Sequence, residues 1–175
     1  MTTKRLDDTL LDLSKGLVDI TDPCYDKDVW CRINDFKIKL GQYVCEYVLN
    51  DDPKDLRIAH CIIVHKDYAD NFTYTKCVEE VGEIGVDAGC AGFFFNKPDY
   101  DDNGWDEFCD YMFDTEQANG YPCAYFRNDI GFWTTSGYGD GGYTVWAAKN
   151  ADGEVYALDI DFGLEDFDED DEDDE

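Results

Sequence analysis

Positive charge is what this chain has least of: 14 lysines and arginines stand against 42 aspartates and glutamates, a formal net charge of −28 on 175 residues. That imbalance repels DNA, RNA and anionic membrane surfaces, so direct nucleic-acid binding and electrostatic membrane binding are excluded as classes. The same field attracts basic protein grooves and divalent cations. Histidine is scarce too. The two present, His60 and His65, are five residues apart and fall on opposite sides of a strand. No Cys-x-x-Cys pair occurs, so the spacing argues against a zinc site. There is no apolar run long enough to cross a bilayer, and Met1-Thr2-Thr3-Lys4-Arg5 leads into Leu-Asp alternation rather than a signal-peptide core. The expectation is a cytoplasmic protein, in the host cytoplasm if a phage encodes it.

What the chain does have is core material, with 43% hydrophobic and 15% aromatic residues. This separates it from wholly disordered acidic proteins. A single β-rich globular domain over residues 1–164 is expected, followed by a disordered acidic tail over 165–175. The tail holds Glu165, Asp166, Asp168, Glu169, Asp170, Asp171, Glu172, Asp173, Asp174 and Glu175, interrupted only by Phe167. Ten carboxylates in eleven positions cannot pack and repel one another. The rest of the chain still carries 32 acidic against 14 basic residues, a net −18. Eight cysteines (24, 31, 45, 61, 77, 90, 109 and 123) read as reduced thiols packed as small hydrophobes, given the absence of an export signal.

Hydrophobic periodicity predicts mainly β structure with one or two short helices, an α+β chain arranged as a single antiparallel sandwich or meander-like domain. Leu6, Leu10 and Leu13 at helical spacing, with Ser14-Lys15-Gly16 as a stop, predict a short N-terminal helix. Strands are expected at 17–21, 36–40, 42–49, 56–65, 83–87, 91–95, 131–136, 143–148 and 155–162, divided by turns such as Asn50-Asp51-Asp52-Pro53 and Asn150-Ala151-Asp152-Gly153. In the last of these Leu158, Ile160 and Phe162 alternate with Asp159 and Asp161, the pattern of a half-buried strand. Trp105, Phe108, Cys109 and Met112 recur at i, i+3, i+4 and i+7, which predicts a helix over 105–114 with a core-facing stripe.

Three glycine-and-aspartate signatures stand out: Asp22-Pro23-Cys24-Tyr25, the run Val86 to Phe94 containing Asp87, Gly89 and Gly92, and Ser136-Gly137-Tyr138-Gly139-Asp140-Gly141-Gly142-Tyr143. On these segments the chain resembles a family of small bacterial and phage domains of unknown function. Similar D-P-C-Y, V-D-x-G-x-x-G and S-G-x-G-D-G-x-Y segments occur there in this order. The resemblance spans most of 18–162, implies a compact β-rich fold and carries no established activity. Physically, Asp22, Asp87 and Asp140 on tight loops are candidates to converge on a Ca2+ or Mg2+ ion or to perform acid-base work. Cys24, Tyr25, Ser136 and Tyr143 would line the same pocket. Against this, Asp and Gly are the ordinary residues of tight turns, which makes the structural reading the stronger one.

Asp99-x-Asp101-x-Asn103-Gly104 with Asp110 at the twelfth position matches the calcium-loop pattern, with Asp in place of the final Glu. Pro98 and the preceding phenylalanines leave no entering helix, so an acidic turn and helix N-terminus compete with the metal reading. Cys24 with a histidine base is a further candidate pair, for which a buried thiol is the simpler account. The four tryptophans and twelve tyrosines lack the basic groove of a base-stacking platform and read as core, with some left for a protein interface.

Three function classes remain open. The first is an acidic, non-enzymatic protein-binding module: an inhibitor or nucleic-acid mimic that occupies the basic groove of a nucleic-acid-binding protein, as a phage anti-defence protein would. The second is a metal- or small-molecule-binding domain or hydrolase using Asp22, Asp87 and Asp140, in which a pocket shared by the three signatures would be expected. The third is an assembly protein of a virion or complex, with the tail as a docking strip. The first requires no cofactor.

Overall fold

The computed structural model describes residues 1–164, and the acidic run expected to be disordered lies outside them. Eleven strands and one long helix follow in the order β1 (Thr2–Leu13), β2 (Leu17–Thr21), β3 (Ile33–Lys37), β4 (Gly41–Leu49), β5 (Ile58–His65), β6 (Glu79–Val86), β7 (Cys90–Phe94), α1 (Asp102–Asn119), β8 (Ala124–Arg127), β9 (Gly131–Thr135), β10 (Gly141–Lys149) and β11 (Val155–Asp161). Two short 3₁₀ turns, Lys66–Asn71 and Tyr74–Lys76, lie between β5 and β6. The strands form a six-stranded sheet, β1-β4-β5-β11-β10-β6, and a five-stranded sheet, β3-β2-β7-β9-β8. Every recorded pairing is antiparallel. The expected β-rich class is therefore the observed one.

Strand alternation builds the layers. Between the sheets lie Leu11, Leu13, Val18, Ile20, Phe93, Phe132, Val145, Leu158 and Ile160, all buried. Burying each of the larger side chains contributes about 1.5–3 kcal/mol. The alternate residues face outward, and both outer faces are covered. On the five-stranded sheet, Phe94, Tyr125 and Trp133 meet Phe108 of α1, with Trp105, Tyr111 and Met112 packed around them. On the six-stranded sheet, Val64, Ala148 and Ala157 meet Ala69 and Cys77 of the segment between β5 and β6. Gly92 is set by this packing: a Cβ there would collide with the Phe132 carbonyl and the Trp133 backbone on β9. All eight cysteines are free thiols, and Cys45 and Cys61 are fully buried in the core.

The N-terminal helix expected from Leu6, Leu10 and Leu13 is instead β1, paired with β4. The register slips between Arg5 and Leu10, and Asp8 takes φ 51° inside that bulge. The extra residues shift the strand's phase, so half-buried Leu6 packs against the same core as Leu11 and Leu13, while Leu10 is exposed. The helical spacing was therefore coincidental at Leu10: the bulged strand packs Leu6, Leu11 and Leu13 against the core instead. β3 begins three residues earlier than expected, β6 four residues earlier, and β8 was not anticipated. The helix expected over 105–114 is the middle of α1.

Candidate interaction surface

The three signatures meet, and one buried carboxylate joins the first two of them. Asp22 is fully buried. Its Oδ1 accepts the Cys24 N–H at 2.7 Å, and its Oδ2 accepts the Asp87 and Ala88 N–H groups at 2.7 and 2.6 Å. Charge-assisted bonds of this kind hold the β2 exit against the β6–β7 turn. The third signature joins through Ser136, whose N–H donates to the Gly89 carbonyl at 3.1 Å. Tyr143 closes the Gly-rich turn by donating its hydroxyl to the Gly139 carbonyl at 2.7 Å.

Asp22 is thus a bracing acceptor, while Asp87 and Asp140 are exposed. Burial pushes the Cys24 thiol far above its ordinary value, and Asp22 adds to the rise; Tyr25 is raised by burial and by Cys31. Neither shift suits a nucleophile or base at neutral pH. Four surface cavities of about 350–430 Å³ are lined by other residues than these seven.

The calcium-pattern residues are distributed over a loop and a helix. Asp99 accepts the Lys27 N–H at 2.8 Å. Asp101 is the N-cap of α1 and accepts the Gly104 N–H at 2.7 Å. Asn103 lies in the first turn, and Asp110 stands about 12 Å along the axis from Asp102 at a rise of about 1.5 Å per residue. Among the described residues no group of three or more His, Cys, Asp or Glu is placed to hold a metal ion.

The histidines are occupied away from Cys24. His65 donates from Nε2 to the Leu40 carbonyl at 3.0 Å and accepts the Asp67 N–H at Nδ1. The Nδ1 of His60 lies 3.0 Å from both oxygens of Asp159, and Tyr74 stacks on its ring at 4.1 Å. This buried pair borders a shallow cavity of about 430 Å³ lined also by Thr75, Cys77, Val78, Trp146 and Asp161. The outward phase of Asp159 and Asp161 was visible in the sequence. The histidine 99 residues away was not.

One local concentration of acid lies on and around α1. Between Lys97 and Arg127 there is no lysine or arginine, and eight carboxylates fall there. Asp102, Asp106, Asp110 and Asp114 recur at every fourth position and are all exposed, with exposed Glu107 alongside. They form a ridge on the helix side opposite Phe108, with charges about 6 Å apart along the axis. Like charges at i, i+4 destabilise a helix by about 0.2–0.5 kcal/mol per pair, and the last turn carries no basic residue to meet the helix dipole. By contrast residues 13–40 hold five basic and five acidic side chains, tied in part by Arg32 to Asp19 at 3.1 Å. Trp30 is 93% exposed, three residues beyond the Lys27 N–H that binds Asp99.

Among the described residues no helix is long and apolar enough to cross a membrane. Comparison of the chain with protein-family models, with curated proteins and with solved structures found no match.

Proposed function

We propose that this protein is an acidic, non-enzymatic binding module that occupies the basic groove of a nucleic-acid-binding protein, presenting carboxylates where that groove takes phosphates. The observation that carries the reading is the α1 ridge: four exposed aspartates at strict i, i+4 spacing with no basic residue in the surrounding 29-residue stretch, 98–126. Asp102 in the first turn suits the helix dipole, but the fold gains nothing from Asp106, Asp110 and Asp114, whose like-charge i, i+4 spacing weakens the helix. A partner's lysines and arginines would reverse the sign of the effect. Trp30, nearly fully exposed and tied near the α1 N-terminus through Lys27 and Asp99, supplies an aromatic anchor of the kind that dominates binding energy. The setting that fits a phosphate mimic is inhibition of a host's nucleic-acid-targeting defence by a phage protein. The ten carboxylates of 165–175 add to the chain's net negative charge.

The test is capture from host-cell lysate at low and high salt. A basic, nucleic-acid-binding protein should be retained at low salt, released as salt rises, and displaced by added DNA or RNA. Neutralising the ten carboxylates of 165–175 to Asn and Gln should weaken capture and flatten its salt dependence. Retention of no salt-sensitive basic protein would overturn the reading.

A further inference from the structure

We propose that the start of the acidic run, Glu165 to Asp168, docks on the patch made by Arg57, Tyr121 and Tyr138, with Phe167 as its apolar anchor. The inference stands apart from the proposed function, because the occupant is a segment of this chain and not a partner.

Phe167 is the residue that neither the fold nor the proposed function uses. It is the one apolar side chain among the eleven from Glu165 to Glu175, and a solvated, self-repelling run has no use for a large apolar ring. Its place in the chain limits where that ring can go. Leu164, the last described residue, is 8% exposed, and its Cδ2 stands 3.3 Å from where a Cβ on Gly137 would lie. Three residues further on, Phe167 falls within about 10–11 Å of Leu164, at about 3.3–3.6 Å per residue. The surface within its reach is therefore the one around Gly137.

That surface is built on one guanidinium, which ties three loops together. Arg57 donates from Nη1 to the Gly137 carbonyl at 3.3 Å and to the Tyr121 hydroxyl at 3.4 Å, and from Nε to Asp55 at 2.9 Å. Its Cζ stands 4.9 Å from the centre of the Tyr138 ring, and hydrogen bonding to Asp55 raises the Tyr138 hydroxyl above its ordinary pKa. Both rings are thus held by their neighbours, and each tyrosine is still 57% exposed. A phenyl ring packs edge-on or offset against such rings, at centroid separations of about 4.5–7 Å. Charge agrees with the apolar fit. Residues 50–57 set Lys54 and Arg57 against three aspartates, close to balance in a body that carries −18. Among the described residues Nη2 of Arg57 has no acceptor, which leaves it for a carboxylate of Glu165, Asp166 or Asp168. Since α1 ends at Asn119, two residues before Tyr121, a run anchored here starts beside the C-terminal end of the acidic helix. The seven carboxylates from Glu169 to Glu175 then extend from that fixed point.

The test is NMR on the full chain. Cross-relaxation peaks should join the Phe167 ring to ring protons of Tyr121 or Tyr138. The 15N heteronuclear NOE of 165–168 should match that of the folded body, while that of 170–175 falls well below it. Phe167→Ala should drop 165–168 to the values of 170–175 and shift the Tyr138 ring signals, and Phe167→Trp, which keeps an aromatic ring, should retain the ordering. Tyr138→Ala should loosen 165–168 in the same way. Absence of Phe167 cross-peaks, a heteronuclear NOE in the parent chain that falls away directly after Leu164, or unchanged values for 165–168 in a folded Phe167→Ala variant would each overturn the assignment. None of these readings depends on capture of a basic partner, so this proposal and the proposed function fail independently.

Discussion

Asp22 and the aspartates of α1 show one side chain used in two ways. Asp22 is fully buried and accepts three backbone N–H groups that fix the β2 exit to the β6–β7 turn. Asp106, Asp110 and Asp114 are exposed, repel one another along the helix and lie in a stretch of sequence, 98–126, without lysine or arginine. The difference teaches which part of the chain's charge the fold requires. A carboxylate with backbone donors is part of the architecture. A row of like-charged carboxylates on a helix weakens that helix, and the proposed binding function is what would give it a use.

That comparison is open to attack at several points. Asp22→Ala leaves three backbone donors without their acceptor beside a buried site, and should cost about 3–5 kcal/mol in chemical denaturation. Asp22→Asn should also destabilise, since its amide NH2 would face donors; a loss below about 1 kcal/mol in the alanine variant would remove Asp22 from the architecture. The buried thiols give a second handle. Burial raises Cys45, Cys61 and Cys90 above the free-thiol value of 9.0, so the unfolded chain releases these protons first. Stability from them is complete below pH 9 and falls as pH rises above it, by roughly 1.4 kcal/mol per pH unit for each thiol concerned. Denaturation curves from pH 7 to pH 11 would show this decline, and a flat profile above pH 9 would contradict it.

The surface side of the comparison predicts smaller shifts with the opposite sign. Neutralising α1 as D106N/D110N/D114N relieves like-charge neighbours and should raise stability by about 0.5–1.5 kcal/mol, a few degrees in Tm. Trp30→Ala should leave stability within about 0.5 kcal/mol, since the ring is exposed, while weakening capture of a basic partner at least about fivefold. Unchanged capture would mean that the exposed indole lies outside the contact.

Most of the sheet was legible because alternation and turn residues coincide. β2 matches its expected bounds, and β4, β5, β7, β9, β10 and β11 lie close to theirs. The α1 stripe was legible because Trp105, Phe108 and Met112 repeat at helical spacing and pack under the helix. β1 was not, because its bulge imposes a phase shift that sequence spacing alone reads as a helix. β8 spans only four residues, Ala124–Arg127, too short for periodicity to register. The turn character of Asp22 was legible locally, but its bonds to Asp87 and Ala88 cross 65 and 66 residues. His60 and Asp159 are likewise joined only by the pairing of β5 with β11. Local chemistry is written in the sequence as spacing, whereas these partnerships exist only once strands have paired.

The measurement that bears most directly on the account is a paired one on D106N/D110N/D114N: thermal stability and low-salt capture of a basic partner, each against the parent chain. The account predicts that stability rises while capture falls. A variant that is more stable and captures the partner undiminished, or one that is less stable, would contradict the claim that the α1 ridge serves binding at the expense of the fold.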